Sequence, residues 1–238
     1  MATTLTPWCG NTDDKLYLQS GQFSATMKTS LDVSGTDTAV RGADWDGTNT
    51  PWAAANAIKL CLQSGQYSAT IKTSQDVSAF GVAIQGISWD GANTPWSAEA
   101  DKLLLQSGQF SATMKTSLDV SGVASIVRGI SYDGTNTPWQ ENGKLHLQSG
   151  QFAATLKTSL DVSGIDTHAG GISWDGTNTP WGGGGDDKLY LLSGQFSATL
   201  KTSLSIGSID LTPTGITTDD VNSRLGIASA FTPTAVIF

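Results

Sequence analysis

Charge is scarce in this chain of 238 residues. Only 14% are charged, against about 25% in ordinary soluble domains, and 30 Thr and 27 Ser fill the gap, so the surface is hydroxyl-rich. Basic residues are scarcer still: 13 Lys and Arg face 21 Asp and Glu, a net charge of -8 with no cationic cluster. That excludes a nucleic-acid partner, because neutralising a phosphate backbone takes grouped cations. No run approaches the roughly 18 apolar residues of a spanning helix, so membrane insertion is not expected. The opening MATTLTPW has neither the basic start nor the apolar stretch of a signal peptide, and any export is expected to use another route. Two cysteines, Cys9 and Cys61, are too few for a disulfide framework and leave stability to packing.

What the chain does have is repetition. Thr-Pro-Trp ends at Trp8, Trp52, Trp96, Trp139 and Trp181, at spacings of 42 to 44 residues. Each copy continues through Lys-Leu-x-Leu, Ser-Gly-Gln and Lys-Thr-Ser to a glycine at Gly42, Gly86, Gly129, Gly171 and Gly215. An aspartate follows four residues later at Asp46, Asp90, Asp133, Asp175 and Asp219. A fixed period of this length dictates a repeat architecture. Only the segment between the tryptophan and the lysine varies in length, so one loop per unit is free.

Within the unit, apolar residues fall on alternate positions in Leu16-Tyr17-Leu18 and across Gln22 to Lys28, which is strand patterning. Ser-Gly-Gln between these runs reads as a tight hairpin turn, and Asp-Gly reads as a second turn. The proline before each tryptophan suits a strand start or edge. The expectation is an all-β fold: a five-bladed β-propeller of four-stranded antiparallel blades. The first unit lacks its first strand, and 215–219 supply a strand without a unit, so pairing between N- and C-terminal strands is expected to close the ring and hide its edges. The propeller is expected over 1–225. The alternative is a degenerate sixth blade, since Asp219 to Leu225 echoes Asp175 to Trp181. Residues 226–238 form an apolar tail whose Phe231, Val236, Ile237 and Phe238 are expected to dock on a neighbouring chain or on their own ring.

The five repeat tryptophans read as wedges between blades. Trp45, Trp89, Tyr132 and Trp174 share a second slot and are the better ligand candidates. The ten lysines occupy two repeat slots, and with the repeating aspartates they suggest a ring of inter-blade ion pairs. Asp-Gly-Thr-Asn lacks the spaced carboxylates of a calcium loop, so neither metal nor cofactor is expected. His146 falls in the x of Lys-Leu-x-Leu, read as an outward slot, and His168 in a variable loop; neither acquires a paired acid from the repeat. Cys61 reads as a strand residue and Cys9 as a loop residue. With no nucleophile, histidine and acid set, a catalytic role is not expected. Copies differ most in the loop after the tryptophan and in the crossing between blades, which emerge on one rim. Phe80, Glu99, Arg128, Glu141 and His168 lie in those segments and are further ligand candidates. The opposite rim is nearly uniform. Binding by the uniform rim implies a multivalent lectin-like ring, binding by the diversified rim implies one extended epitope, and drift without selection implies a spacer.

The unit from Gly171 to Trp181, with Lys188-Leu189-Tyr190-Leu191 and Ser193-Gly194-Gln195-Phe196, resembles short-repeat β-propellers of bacteriophage and environmental bacteria. Blade number is similar to that of tachylectin-2-type five-bladed lectins, whose repeat residues differ. The phage resemblance implies a virion protein (decoration, fibre or tail) that contacts other virion or assembly proteins through its tail and presents a surface to the host. The lectin resemblance implies a soluble protein binding a cell-surface glycan. The corresponding locations are the virion or the extracellular space.

Overall fold

The computed structural model describes residues 5–10, 13–20, 26–66, 68–80, 83–99, 101–111, 113–209 and 213–217, and no helix occurs among them. Among these residues twenty strands form five antiparallel four-stranded sheets. The first blade contains β1 (Leu5–Gly10), β2 (Lys15–Ser20) and β3 (Met27–Asp32). The second holds β4 (Val40–Ala43), β5 (Thr50–Ala54), β6 (Lys59–Gln63) and β7 (Ile71–Asp76), and the third β8 (Ile84–Ile87), β9 (Asn93–Ala98), β10 (Lys102–Ser107) and β11 (Met114–Asp119). The fourth holds β12 (Gly129–Ile130), β13 (Thr137–Glu141), β14 (Lys144–Gln148) and β15 (Leu156–Asp161), and the fifth β16 (Ala169–Ile172), β17 (Asn178–Gly183), β18 (Lys188–Ser193) and β19 (Leu200–Ser205). Strand β20 (Pro213–Ile216) returns to complete the first sheet in the order β20-β1-β2-β3. Its register pairs Trp8 with Ile216, Cys9 with Gly215 and Gly10 with Pro213. The protein is a five-bladed β-propeller closed by its own terminal strands. Thr218, Asp219, the echo up to Leu225 and the tail residues Phe231, Val236, Ile237 and Phe238 lie outside the described residues.

The repeat glycine explains how the blades meet. A methyl group on Gly42 would lie 2.9 Å from the Ile87 nitrogen, on Gly129 2.9 Å from the Gly171 Cα, on Gly171 2.7 Å from the Gly215 Cα, and on Gly215 2.7 Å from the Gly42 Cα. One on Gly86 would lie 3.0 Å from the Arg128 carbonyl oxygen, which completes the circle. Backbone therefore packs on backbone around the axis. The remaining axial cavity is only ≈ 10 Å³, lined by these glycines and by Ala43, Ile87, Ile130, Ile172 and Ile216. It admits one water at most. The hub is solid.

Apolar clusters fill the gaps between neighbouring blades. One joins Ala53, Leu60 and Val77 of the second blade to Ile84, Trp96 and Leu104 of the third. All five repeat tryptophans are 0% exposed, as expected of wedges. The residue expected to point outward in Lys-Leu-x-Leu is buried instead: Tyr17, Cys61, Leu104, His146 and Tyr190 all lie inside. It sits directly across the ladder from the tryptophan, and Trp8–Tyr17, Trp139–His146 and Trp181–Tyr190 stack at 4.2, 4.1 and 4.5 Å. Alternation marks a sheet with one wet face, whereas these middle strands have a blade on either side. Cys9 is likewise a buried residue of β1 rather than a loop residue.

The outermost strand starts later than alternation predicts, at Met27, Ile71, Met114, Leu156 and Leu200. The turn before it is wide rather than tight. Phe110, Phe152 and Phe196 take φ of 62°, 65° and 60° in that turn. Left-handed backbone costs about 1–2 kcal/mol, and burial of the ring offsets it: Phe152 of the fourth blade packs with Leu103 and Leu105 of the third. The equivalent Phe23 and Tyr67 lie outside the described residues.

Each outermost strand of the first four blades ends in an aspartate capped by a serine two residues on. Hydrogen bonds from the side chains and then the amides of Ser34, Ser78, Ser121 and Ser163 hold Asp32, Asp76, Asp119 and Asp161 below the ordinary aspartate pKa. A lowered carboxylate stabilises the fold above its unfolded pKa of about 4, and that stability is lost as pH falls through the lower folded value. A variant with all four serines changed to alanine should unfold at lower urea than wild type at pH 7, and the gap should close as pH falls below about 4. A gap independent of pH would refute the linkage.

Candidate functional site

The uniform rim is built from the turns after each innermost strand and the turns between third and fourth strands. Asp46 organises the first kind: Oδ1 accepts the amides of Thr48 at 2.7 Å and Asn49 at 2.5 Å. Asp90, Asp133 and Asp175 repeat the arrangement. Gly47, Gly91, Gly134 and Gly176 take φ near 90° there (93°, 95°, 91° and 88°), which suits glycine. The second carboxylate oxygen faces the next blade, where Gln109 donates to Asp46, Gln151 to Asp90 and Gln195 to Asp133.

These amide-to-carboxylate links stand where inter-blade ion pairs were expected. Lys115, Lys157 and Lys201 stop short of the neighbouring blade and donate to Asn93, Asn136 and Asn178 of their own, at 3.1, 3.2 and 3.1 Å. Among the described residues the ion pairs are Lys15–Asp13 and Lys188–Asp186, each within one blade.

Nearer the axis on this rim lies a buried polar ring of Asp44, Ser88, Ser131, Ser173 and Thr217. Asp44 accepts the Ser88 hydroxyl at 3.2 Å and the Trp89 amide at 2.6 Å, and its other oxygen takes the Thr217 hydroxyl. In the second to fifth blades the next residue along the chain is the expected aromatic candidate: Trp45, Trp89, Tyr132 and Trp174 are all half-buried. Burial, followed by the charges of Asp90 and Asp133, pushes the Tyr132 phenol up, so this ring lies near the aspartates of two blades. A half-open aromatic, an Asp–Gln link and an Asn–Lys pair thus recur around one face. The polar ring and the glutamines escaped the sequence reading, although their fixed repeat positions were the signal that could have found them.

The five loop candidates lie on the opposite rim and form no common site. Phe80 is 37% exposed in the crossing between the second and third blades. Glu99 anchors its amide to the Ala83 carbonyl at 2.9 Å. Arg128 donates through Nε to Asn142 at 2.9 Å. Glu141 does acquire a partner, accepting a hydrogen bond from His146 Nε2 at 3.2 Å, contrary to expectation. Burial lowers the His146 pKa more than Glu141 restores it, so the ring is neutral at pH 7 and packs on Trp139. The Cys61 thiol is pushed up to about 12 by burial and is no nucleophile at neutral pH.

His168 lies at the edge of a cavity of ≈ 340 Å³ that also takes in Ser163, Ile165, Asp166, Thr167, Gly185 and Asp186. Asp166 ties the blade crossing to the loop: it accepts the amides of His168 at 2.5 Å, Gly185 at 3.1 Å and Asp186 at 2.9 Å. Burial raises its pKa, and Asp186 adds to this. Although burial works against it, bonds from Lys188 and Tyr190 hold Asp186 low. Asp37 makes the same clasp in the second blade, accepting Ala39 at 2.6 Å and Ala57 at 2.5 Å, so the clasp is architectural. Among the described residues no three His, Cys, Asp or Glu side chains are grouped to hold a metal.

No family model and no curated protein matches this sequence. Solved structures do match in fold. A chain from a nidogen/laminin complex superposes with a TM-score of 0.60 at 11% identity, covering 91% of this chain and 98% of that one. Glutaminyl cyclase of Myxococcus xanthus gives 0.53 at 14% identity, with 75% and 69% covered. A streptogramin B lyase gives 0.51 at 13% identity, with 87% and 67% covered. At such identities the likeness is one of fold. Two of these similar chains are enzymes, so the architecture by itself does not exclude catalysis.

Proposed function

We propose that the protein is a non-catalytic, multivalent carbohydrate-binding ring that works through its uniform rim. The observation that carries this is the recurrence, blade after blade, of a half-open indole or phenol beside fixed amide, carboxylate and ammonium groups. A flat apolar face with oriented donors and acceptors around it suits a pyranose ring, which is apolar on its face and hydroxylated at its edge. Each such site is weak, and several on one rigid ring gain avidity without new contacts. The groups that catalysis would recruit are otherwise engaged: His146 is packed and neutral, the Cys61 thiol is buried, and Asp166 clasps two loops. The resemblance to phage propellers supports display on a virion, where many copies would multiply the same avidity against a host surface.

The test is a glycan array read beside NMR of the tryptophan indoles. A sugar selected on the array should shift the indole signals of Trp45, Trp89 and Trp174 and leave those of Trp8, Trp52, Trp96, Trp139 and Trp181 in place. A Trp89→Ala/Trp174→Ala variant that melts like wild type should lose at least about tenfold in array signal, roughly 1.4 kcal/mol. An empty array, or binding that leaves those three indoles unmoved, overturns the reading.

A further inference from the structure

At the other end of the axis the innermost strands place Arg41, Gln85, Arg128, Gly170 and Thr214 one residue before each hub glycine. In the second, third and fifth blades the ladder skips this residue, passing from Val40 to Gly42, from Ile84 to Gly86 and from Ala169 to Gly171. In the first blade the partner of Cys9 is Gly215 and that of Gly10 is Pro213, so Thr214 is skipped in the same way. Such a bulge re-aims the extra side chain away from the ladder. In the fourth blade Arg128 holds the equivalent place, its amide bonded to the Gln140 carbonyl at 2.8 Å.

Because successive hub glycines touch, the residues one step along these strands converge on the mouth of the axis. Two of the five are arginines, two of the three in the chain, and all ten lysines lie on the third and outermost strands instead. Gly170 has no side chain, and Thr214 spends its hydroxyl proton on the Val40 carbonyl at 2.8 Å. Gln85 is buried between the arginine-bearing blades. The Arg41 Nε is buried and meets no acceptor among the described residues. Arg128 keeps its Nε bond to Asn142, and no hydrogen bond occupies its terminal nitrogens among the described residues. Burial, then the charge of Arg41, lowers the Arg128 pKa, with Glu99 opposing, so the two cations stand in each other's field.

We propose that Arg41 and Arg128 bind a sulfate or phosphate group over the solid glycine hub, with the Gln85 amide as a third donor. Guanidinium forks match the oxygens of such groups, and an anion there would relieve the repulsion between the arginines. The site is on the face opposite the aromatic rim, and its chemistry is independent of sugar binding there.

The test compares sodium sulfate, sodium phosphate and a phosphorylated monosaccharide with sodium chloride at matched ionic strength. Wild type should gain stability with the logarithm of ligand concentration above Kd, the folding equilibrium constant rising about 11-fold at ten times Kd. Arg41→Gln/Arg128→Gln should lose that logarithmic part and keep only the linear gain that sulfate gives any protein. Should that variant fail to fold, the Nε resonances of Arg41 and Arg128 in wild type must shift saturably with the same ligands. Tighter binding of the sugar ester assigns the anion to a ligand substituent, and tighter binding of the inorganic ions assigns it to a free ion. A linear response equal in wild type and variant, or resonances that never saturate, overturns the site.

Discussion

Replacing Gly171 by alanine should leave no stable ring. The new methyl would meet the Gly215 Cα at 2.7 Å and the Ile216 nitrogen at 2.9 Å, both of them backbone. Neither can retreat, since a methyl on Gly215 would itself lie 2.7 Å from Gly42 and 2.8 Å from the Cys9 sulfur. Overpacking a core commonly costs about 1–3 kcal/mol when side chains can adjust. Here only the relative placement of blades can adjust, and a shift at one junction propagates around a closed circle. The expected loss is about 3 kcal/mol or more, a large share of the 5–15 kcal/mol that holds a typical domain together. Gly164→Ala is the control, because nothing lies within 4 Å of that position. Urea unfolding should separate the two, and a Gly171→Ala protein within about 1 kcal/mol of wild type would mean that the hub yields more easily than its distances indicate.

The second large effect concerns the seam. A chain ending at Ser208 loses β20, and with it the innermost strand of the first blade. The unpaired edge of β1 is then open to water and to other chains. Ile216 also leaves the cluster it forms with Trp8, Tyr17, Leu189, Leu191 and Ile206, which joins the fifth blade to the first. Near-ultraviolet dichroism and thermal melts should show loss of the cooperative transition and gain of self-association. A circular permutant in which 209–217 precede Leu5 through a short linker should restore cooperative melting, since it supplies the same strand. A truncated chain that melts like the full one would show that the blades do not depend on closure.

Much of the architecture was legible because a repeat multiplies weak signals. One Gly or one Asp-Gly means little, but five such glycines and four such turns at spacings of 42 to 44 fixed blade number, strand count and the pairing of terminal strands. Misreadings came where a two-state code of inside and outside was applied to strands enclosed on both faces. Tyr17 and His146 looked tolerant because the slot accepts Tyr, Cys, Leu and His, yet all are buried against the second strand or the next blade. Alternation also ran on through Gln22 to Lys28 although the equivalent Phe110 and Phe152 belong to a turn with positive φ, a conformation that apolar pattern does not encode. At the candidate site, the aromatic slot was visible. The Gln109–Asp46 link and its repeats were not, because they join residues about one and a half units apart and depend on how far one blade is rotated from the next.

The seam also sets an order of events during synthesis. The second to fifth blades are each continuous in sequence and can pair their strands as they leave the ribosome. The first blade cannot: its Cys9–Thr214 contact spans 205 positions. Joining ends about five times farther apart than those within a blade adds roughly 1.4 kcal/mol of loop entropy to that last step. A nascent chain therefore carries β1, β2 and β3 as waiting strands until β20 emerges, and that is the moment at which the open edge of β1 ceases to be sticky.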